Sequence, residues 1–113
     1  MKSNLENIKS IFEQMLKDKW DINNNLKWTF TFFDKRVSKL KKIGNHLEKE
    51  YNFDFEEITK TEFDDWKLEV CKRETLNPNE LHQINLKLNH LANSIGVELY
   101  DGWSAERLTK SEN

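Results

Sequence analysis

With 113 residues, of which 36% are hydrophobic and 34% charged, the chain is long enough for one core but too short for two. A net charge of −2 excludes a protein whose task is neutralising phosphates, because that needs a concentrated basic face. The single cysteine, Cys71, excludes an internal disulfide and any Cys-x-x-C metal or redox pair.

Leu5, Ile8, Phe12 and Met15, with Leu16 beside them, fall on a helical stripe that Asn4 or Ser3 can cap, so the chain opens on an amphipathic helix. That stripe must pack on the rest of the chain or on a second copy, which leaves a homodimer open. Trp20 to Asn25 reads as a loop, since asparagine side chains compete for backbone hydrogen bonds. Trp28 to Phe33 is dense in aromatic and β-branched residues and predicts a strand with Trp28, Phe30 and Phe32 on one face.

From Val37, the positions Leu40, Ile43, Gly44, Leu47 and Tyr51 trace a second amphipathic helix, with Asp34 as its cap. Gly44 costs a helix about 1 kcal/mol relative to alanine, which suggests a close helix-to-sheet approach. Arg36, Lys39, Lys41 and Lys42 crowd the start of this helix, but acids soon follow, so the cluster reads as a solvated face and not as an RNA contact.

Phe53, Phe55 and Ile58 sit among acids in a second strand whose alternation breaks after Phe55, as a bulge would cause. Lys60 to Asp65 is a polar turn. Trp66, Leu68 and Val70 then alternate with polar residues in a third strand, with Cys71 on the other face as a semi-buried or surface thiol.

Asn77, Pro78 and Glu80 form a capping signature for a third helix that Gly96 ends. Leu81, Ile84, Leu88, Leu91 and Ile95 lie on its buried stripe, while His82, Gln83, Asn85, Lys87 and Asn89 face away. Val97 to Tyr100 is a short strand, and Asp101-Gly102-Trp103 is a turn where the chain leaves the sheet, with Gly102 free to take a positive φ.

The order is a helix followed by two strand-helix-strand units. This predicts an α+β fold of ferredoxin-like split βαβ type: a four-stranded antiparallel sheet with two helices on one face, preceded by an N-terminal helix. Residues 1–25 are the helix and loop, 26–107 the main domain and 108–113 a flexible tail. The N-terminus lacks the basic-then-apolar order of a secretion signal, and no run approaches the roughly 18 apolar residues of a membrane span. A cytoplasmic protein without membrane contact is expected.

Catalytic groupings are not legible. His46, His82 and His90 lack ligand spacing, Cys71 has no local base, no carboxylates pair in sequence, and Gly44, Gly96 and Gly102 form no phosphate-binding loop. The chain is expected to be no enzyme and to need no metal or cofactor. What remains is a partner surface: Asp54, Glu56 and Glu57 in an acidic stretch, and Tyr100, Asp101 and Trp103, which serve either as a structural turn or as interface anchors. The acidic stretch suits a basic partner segment.

The segments WTFTFFDK, DWKLEV and ELHQINLKLNHLANSIGVELYDGW together resemble the regulator of ribonuclease activity B family, also called ribonuclease E inhibitor proteins. The resemblance is carried by Trp66, Leu81, His82, Asn85, Leu88, Asn89, Leu91, Ala92, Tyr100, Asp101, Gly102 and Trp103, and spans Leu26 to Arg107, leaving the N-terminal helix outside. It implies a ferredoxin-like domain that inhibits an endoribonuclease by binding its non-catalytic scaffold, without direct nucleic-acid contact. Asn85 and Asn89 then form a polar stripe, either hydrogen-bonding toward the Asp101 turn or facing a partner. Two other readings share the small size and acidity: a toxin-neutralising immunity protein, or a small enzyme of unassigned chemistry.

Overall fold

Among the described residues seven elements follow in order: α1 (Leu5–Lys17), β1 (Leu26–Asp34), α2 (Val37–Tyr51), β2 (Asp54–Lys60), β3 (Trp66–Glu74), α3 (Pro78–Ile95) and β4 (Leu99–Arg107). They come from a computed structural model that describes residues 2–108. Apart from Leu108, the tail expected at 108–113 lies outside the described residues. The fold is α+β, with three helices and one four-stranded antiparallel sheet of order β2-β3-β1-β4. No helix among the described residues is long and apolar enough to cross a membrane.

Helix ends follow from local chemistry. The Asn4 side chain accepts from the Asn7 N–H at 3.1 Å to start α1. At α3, Asn77 accepts from the Glu80 N–H at 2.8 Å and the Glu80 carboxylate accepts from the Asn77 N–H at 2.9 Å, completing the expected capping box. Asn52 and Gly96 end α2 and α3 in the left-handed region.

Asp34 departs from its expected role. It is the last residue of β1, and the N-cap of α2 is Arg36, which makes no side-chain cap bond. The buried Asp34 carboxylate instead accepts from the Arg36 N–H (2.7 Å), the Arg36 guanidinium (3.1 Å) and the Glu98 N–H (2.9 Å). It ties the end of β1 to the start of α2 and to the approach to β4.

Trp28, Phe30, Phe32, Leu68, Val70 and Tyr100 of the sheet share a single buried cluster with residues from all three helices. Ile8, Phe12 and Met15 of α1 belong to it, so this helix packs on its own chain. Phe12 stacks on Trp28 with ring centroids 5.8 Å apart and planes 14° apart. At Gly44 a Cβ would lie 2.8 Å from Cδ2 of Phe55, so the bare glycine is what lets α2 settle against β2. The break in alternation after Phe55 is a register shift between Phe55 and Glu57, as the sequence predicts.

Two features differ from expectation. The buried face of α3 is Leu81, Asn85, Leu88 and Ala92, with Ile84, Leu91 and Ile95 only half-buried, so the stripe is rotated and Asn85 points inward. Asp101-Gly102-Trp103 is no exit turn: β4 runs on to Arg107, and these residues form an irregularity within it, between the partners of Thr31 and Phe32. The extra residue, Asp101, explains how Tyr100 and Trp103, three apart, pair with Phe32 and Phe30 on the same face. Gly102 has the expected positive φ, 115°.

Candidate functional site

The six residues singled out as a partner surface lie in two places. Asp54, Glu56 and Glu57 are on β2, Tyr100, Asp101 and Trp103 on β4, and these strands are the opposite edges of the sheet. Two strands intervene, so at the usual spacing the edges stand roughly 14 Å apart. They cannot form one contiguous patch.

At the β4 edge, Tyr100 is 2% exposed and its hydroxyl donates to Oδ1 of Asn85 at 2.6 Å. Burial pushes the phenol pKa far up, so Tyr100 is a neutral core donor and not an interface anchor. Asn85 is fully buried; among the described residues its Nδ2 has no hydrogen-bond partner. The asparagine expected on an outward polar stripe is thus a core residue holding β4 to α3. Asn89 remains half-exposed, and His82 meets Ser3 Oγ at 2.7 Å. Trp103 is half-buried, tilted 53° against Trp28 with centroids 5.8 Å apart, whereas Asp101 is exposed.

The β2 edge holds the acids. Asp54 meets the Arg73 guanidinium at 3.3 Å, and Glu56 meets the Lys27 ammonium at 2.5 Å. The bond from Lys27 to Glu56 outweighs desolvation and raises the lysine pKa. Lys27 reaches Glu56 across β3, over Cys71, while Arg73 lies 3.7 Å from Cys71 Sγ. These long side chains explain why Cys71 is 1% exposed although it alternates away from the main core. Burial, reinforced by Glu56, pushes its thiol pKa up, the reverse of an activated nucleophile.

Glu57 stands opposite Glu69 in the ladder and is exposed. Beyond it, the Thr61 N–H donates to the Asp65 carbonyl at 2.9 Å, the Thr61 hydroxyl meets the Asp65 carboxylate, and the Phe63 N–H donates to Thr61 Oγ1 at 3.1 Å. This ordered turn displays Phe63 at 79% exposure between Glu62 and Asp64. Sequence reading missed Phe63, because one aromatic residue in a polar turn carries no periodic signal; its isolation was the only clue.

The basic cluster is partly spent inside the molecule. Arg36 donates to the Gly96 carbonyl at 2.9 Å and Lys39 to the Ile95 carbonyl at 3.1 Å, satisfying the C-terminus of α3. Lys41 and Lys42 stay exposed. Among the described residues, no group of three or more His, Cys, Asp or Glu side chains could hold a metal ion. His46 packs edge-on against Tyr51 at 5.5 Å, far from the Ser3 contact of His82 in sequence and setting.

A comparison with curated proteins finds no match. A family model described as regulator of ribonuclease activity B matches residues 5–105. The match begins at α1, so the N-terminal helix is included in the family pattern, beyond the Leu26–Arg107 span of the sequence resemblance.

Proposed function

The chain belongs to the regulator of ribonuclease activity B family, and from that premise we propose that it works without chemistry of its own. It binds an endoribonuclease of the ribonuclease E type, or the scaffold of its RNA-decay assembly, in the cytoplasm and lowers the rate of RNA cleavage. The family match over residues 5–105 carries this reading. We further propose, from the strand order β2-β3-β1-β4, that residues 26–107 are a ferredoxin-like split βαβ domain with α2 and α3 on one face.

The docking surface is the β2 edge and its turn. Glu57, Glu62 and Asp64 are exposed there, around an exposed Phe63 whose backbone sits in a hydrogen-bonded turn. A backbone already held in a turn loses less entropy on binding, and acids around the exposed ring steer a basic, disordered segment. Asp54 and Glu56 set the edge through their ion pairs with Arg73 and Lys27, and Asp101 and Trp103 lie outside this patch.

The test is a titration of the full chain with a purified ribonuclease E-type enzyme by calorimetry. Saturable binding is expected, weakening as salt rises from about 0.01 M to about 0.15 M, where the screening length falls from about 30 Å to about 8 Å. No binding heat at low salt, confirmed by absence of co-sedimentation, contradicts the proposal.

A further inference from the structure

Three open depressions lie in a row along α3, neighbours sharing lining residues, and together outline a groove beside α2. The first, about 450 Å³, is bounded by Tyr51, Phe53 and the first turns of α3; the second, about 580 Å³, shares Tyr51, Ile84 and Lys87 with it. The third, about 400 Å³, shares Leu91 with the second and ends at Ile95. Tyr51, Ile84, Leu91 and Ile95 are half-buried side chains packed against the core and form an apolar floor, with Leu86 44% exposed on the lip. From Ile84 to Ile95, α3 advances about 16 Å at 1.5 Å per residue, enough to lie alongside three turns of another helix.

The charge of the groove runs against that of the molecule. Its second and third cavities are lined by Lys87, His90, Lys42 and His46, and by no Asp or Glu among the described residues, in a chain with 20 acidic residues. In the first cavity Glu80 is engaged in the α3 capping box and Glu74 lies 3.9 Å from Lys72. The ammonium groups of Lys72 and Lys87 sit 4.4 Å and 4.5 Å from the ring centres of Phe53 and Tyr51. The cations are therefore held against the groove wall and not spread into solvent. A basic protein segment suited to the β2 edge is repelled here, and an acidic one is attracted.

We propose that this groove docks an acidic amphipathic helix of a partner protein, laid along α2 and α3. Its apolar side chains, at three- and four-residue spacing, sit on the floor from Ile84 to Ile95, and its carboxylates face Lys42 and Lys87. The groove shares no residue with the β2 edge, so the inference stands apart from the proposed function.

The probe is a synthetic amphipathic peptide with leucine at that spacing and glutamate on its flanks, titrated into the isotope-labelled full chain and followed by backbone amide shifts. A second peptide carries lysine for each glutamate. The expected result is saturable shifts along α3 and the groove side of α2, with the glutamate peptide binding several-fold tighter. K42E, at an exposed position, weakens it at least about five-fold with the thermal melt unchanged, and L86D weakens it likewise while amide spectra show that the variant stays folded. Equal binding of the two peptides, shifts elsewhere, or no shifts at about 1 mM peptide overturns the proposal. So does a dimer in sedimentation whose peptide-free, concentration-dependent shifts fall on the groove, since the occupant is then a second copy.

Discussion

Asn85 is the residue on which α3 and β4 depend together. Its carbonyl accepts from Tyr100, while its Nδ2 is buried without a partner among the described residues. Removing one half of such a pair strands the other, which costs about 1 to 3 kcal/mol, whereas replacing both by apolar groups is close to neutral. Tyr100→Phe is therefore expected to lower the free energy of unfolding by about 1 to 2 kcal/mol, and Asn85→Leu in that background to recover part of the loss. Urea denaturation of the single and double variants measures this; strictly additive losses contradict it.

Asp34 predicts an acid dependence. Burial alone raises its carboxyl pKa, but the bonds from the Arg36 side chain and backbone and the Glu98 N–H outweigh burial and hold it below the ordinary 3.8. A carboxyl depressed in the folded state contributes stability that is present above its unfolded pKa and is lost as pH falls through the folded one. Stability of the natural chain should thus drop below about pH 4, and Asp34→Asn should be less stable at neutral pH and flatter across that acid range. Parallel profiles for the two proteins contradict this role.

At the scale of elements, Gly44 offers a contest between two effects. Alanine favours a helix by about 1 kcal/mol, but its Cβ would overlap the Phe55 ring, and overpacking costs typically about 1 to 3 kcal/mol. Gly44→Ala should be net destabilising in thermal or chemical melts; a stabilised variant shows that Phe55 moves aside freely.

Elements whose signal is local were legible. The 28–33 aromatic run, the Asn77-Pro78-Glu80 cap and the break after Phe55 all reappear as read, because propensity, capping and period act within a few residues. What failed depends on distant partners. The α3 stripe turned because Asn85 meets Tyr100, 15 residues away, which allows a polar side chain into the core. The Asp101-Gly102-Trp103 segment reads as a turn since Asp-Gly is turn chemistry, yet pairing with β1 carries the strand through it. Cys71 is closed off by Lys27 reaching Glu56, a contact that alternation does not encode.

For the whole molecule the decisive fact is strand order. A candidate surface that joined Asp54, Glu56 and Glu57 to Asp101 and Trp103 is divided between two sheet edges, an arrangement set by pairing and invisible in linear sequence. The division leaves an acidic edge centred on Phe63 and a separate basic-rimmed groove on the helices. The Cys71 thiol belongs to neither surface, and burial pushes its pKa up. Phe63 carries the prediction at this scale. Being 79% exposed, it should leave the melting temperature unchanged when replaced by alanine while weakening ribonuclease binding by at least about ten-fold, the behaviour of an interface hot spot.

Cleavage of a defined RNA by a purified ribonuclease E-type enzyme, followed as the chain is added, tests the central claim most directly. A saturable fall in cleavage rate, largely lost with Phe63→Ala and with a charge-reversed Glu57, Glu62 and Asp64 variant, is the predicted result. An unchanged rate at saturating concentrations of the folded chain, with the chain itself altering the RNA or failing to associate with the enzyme, contradicts the account.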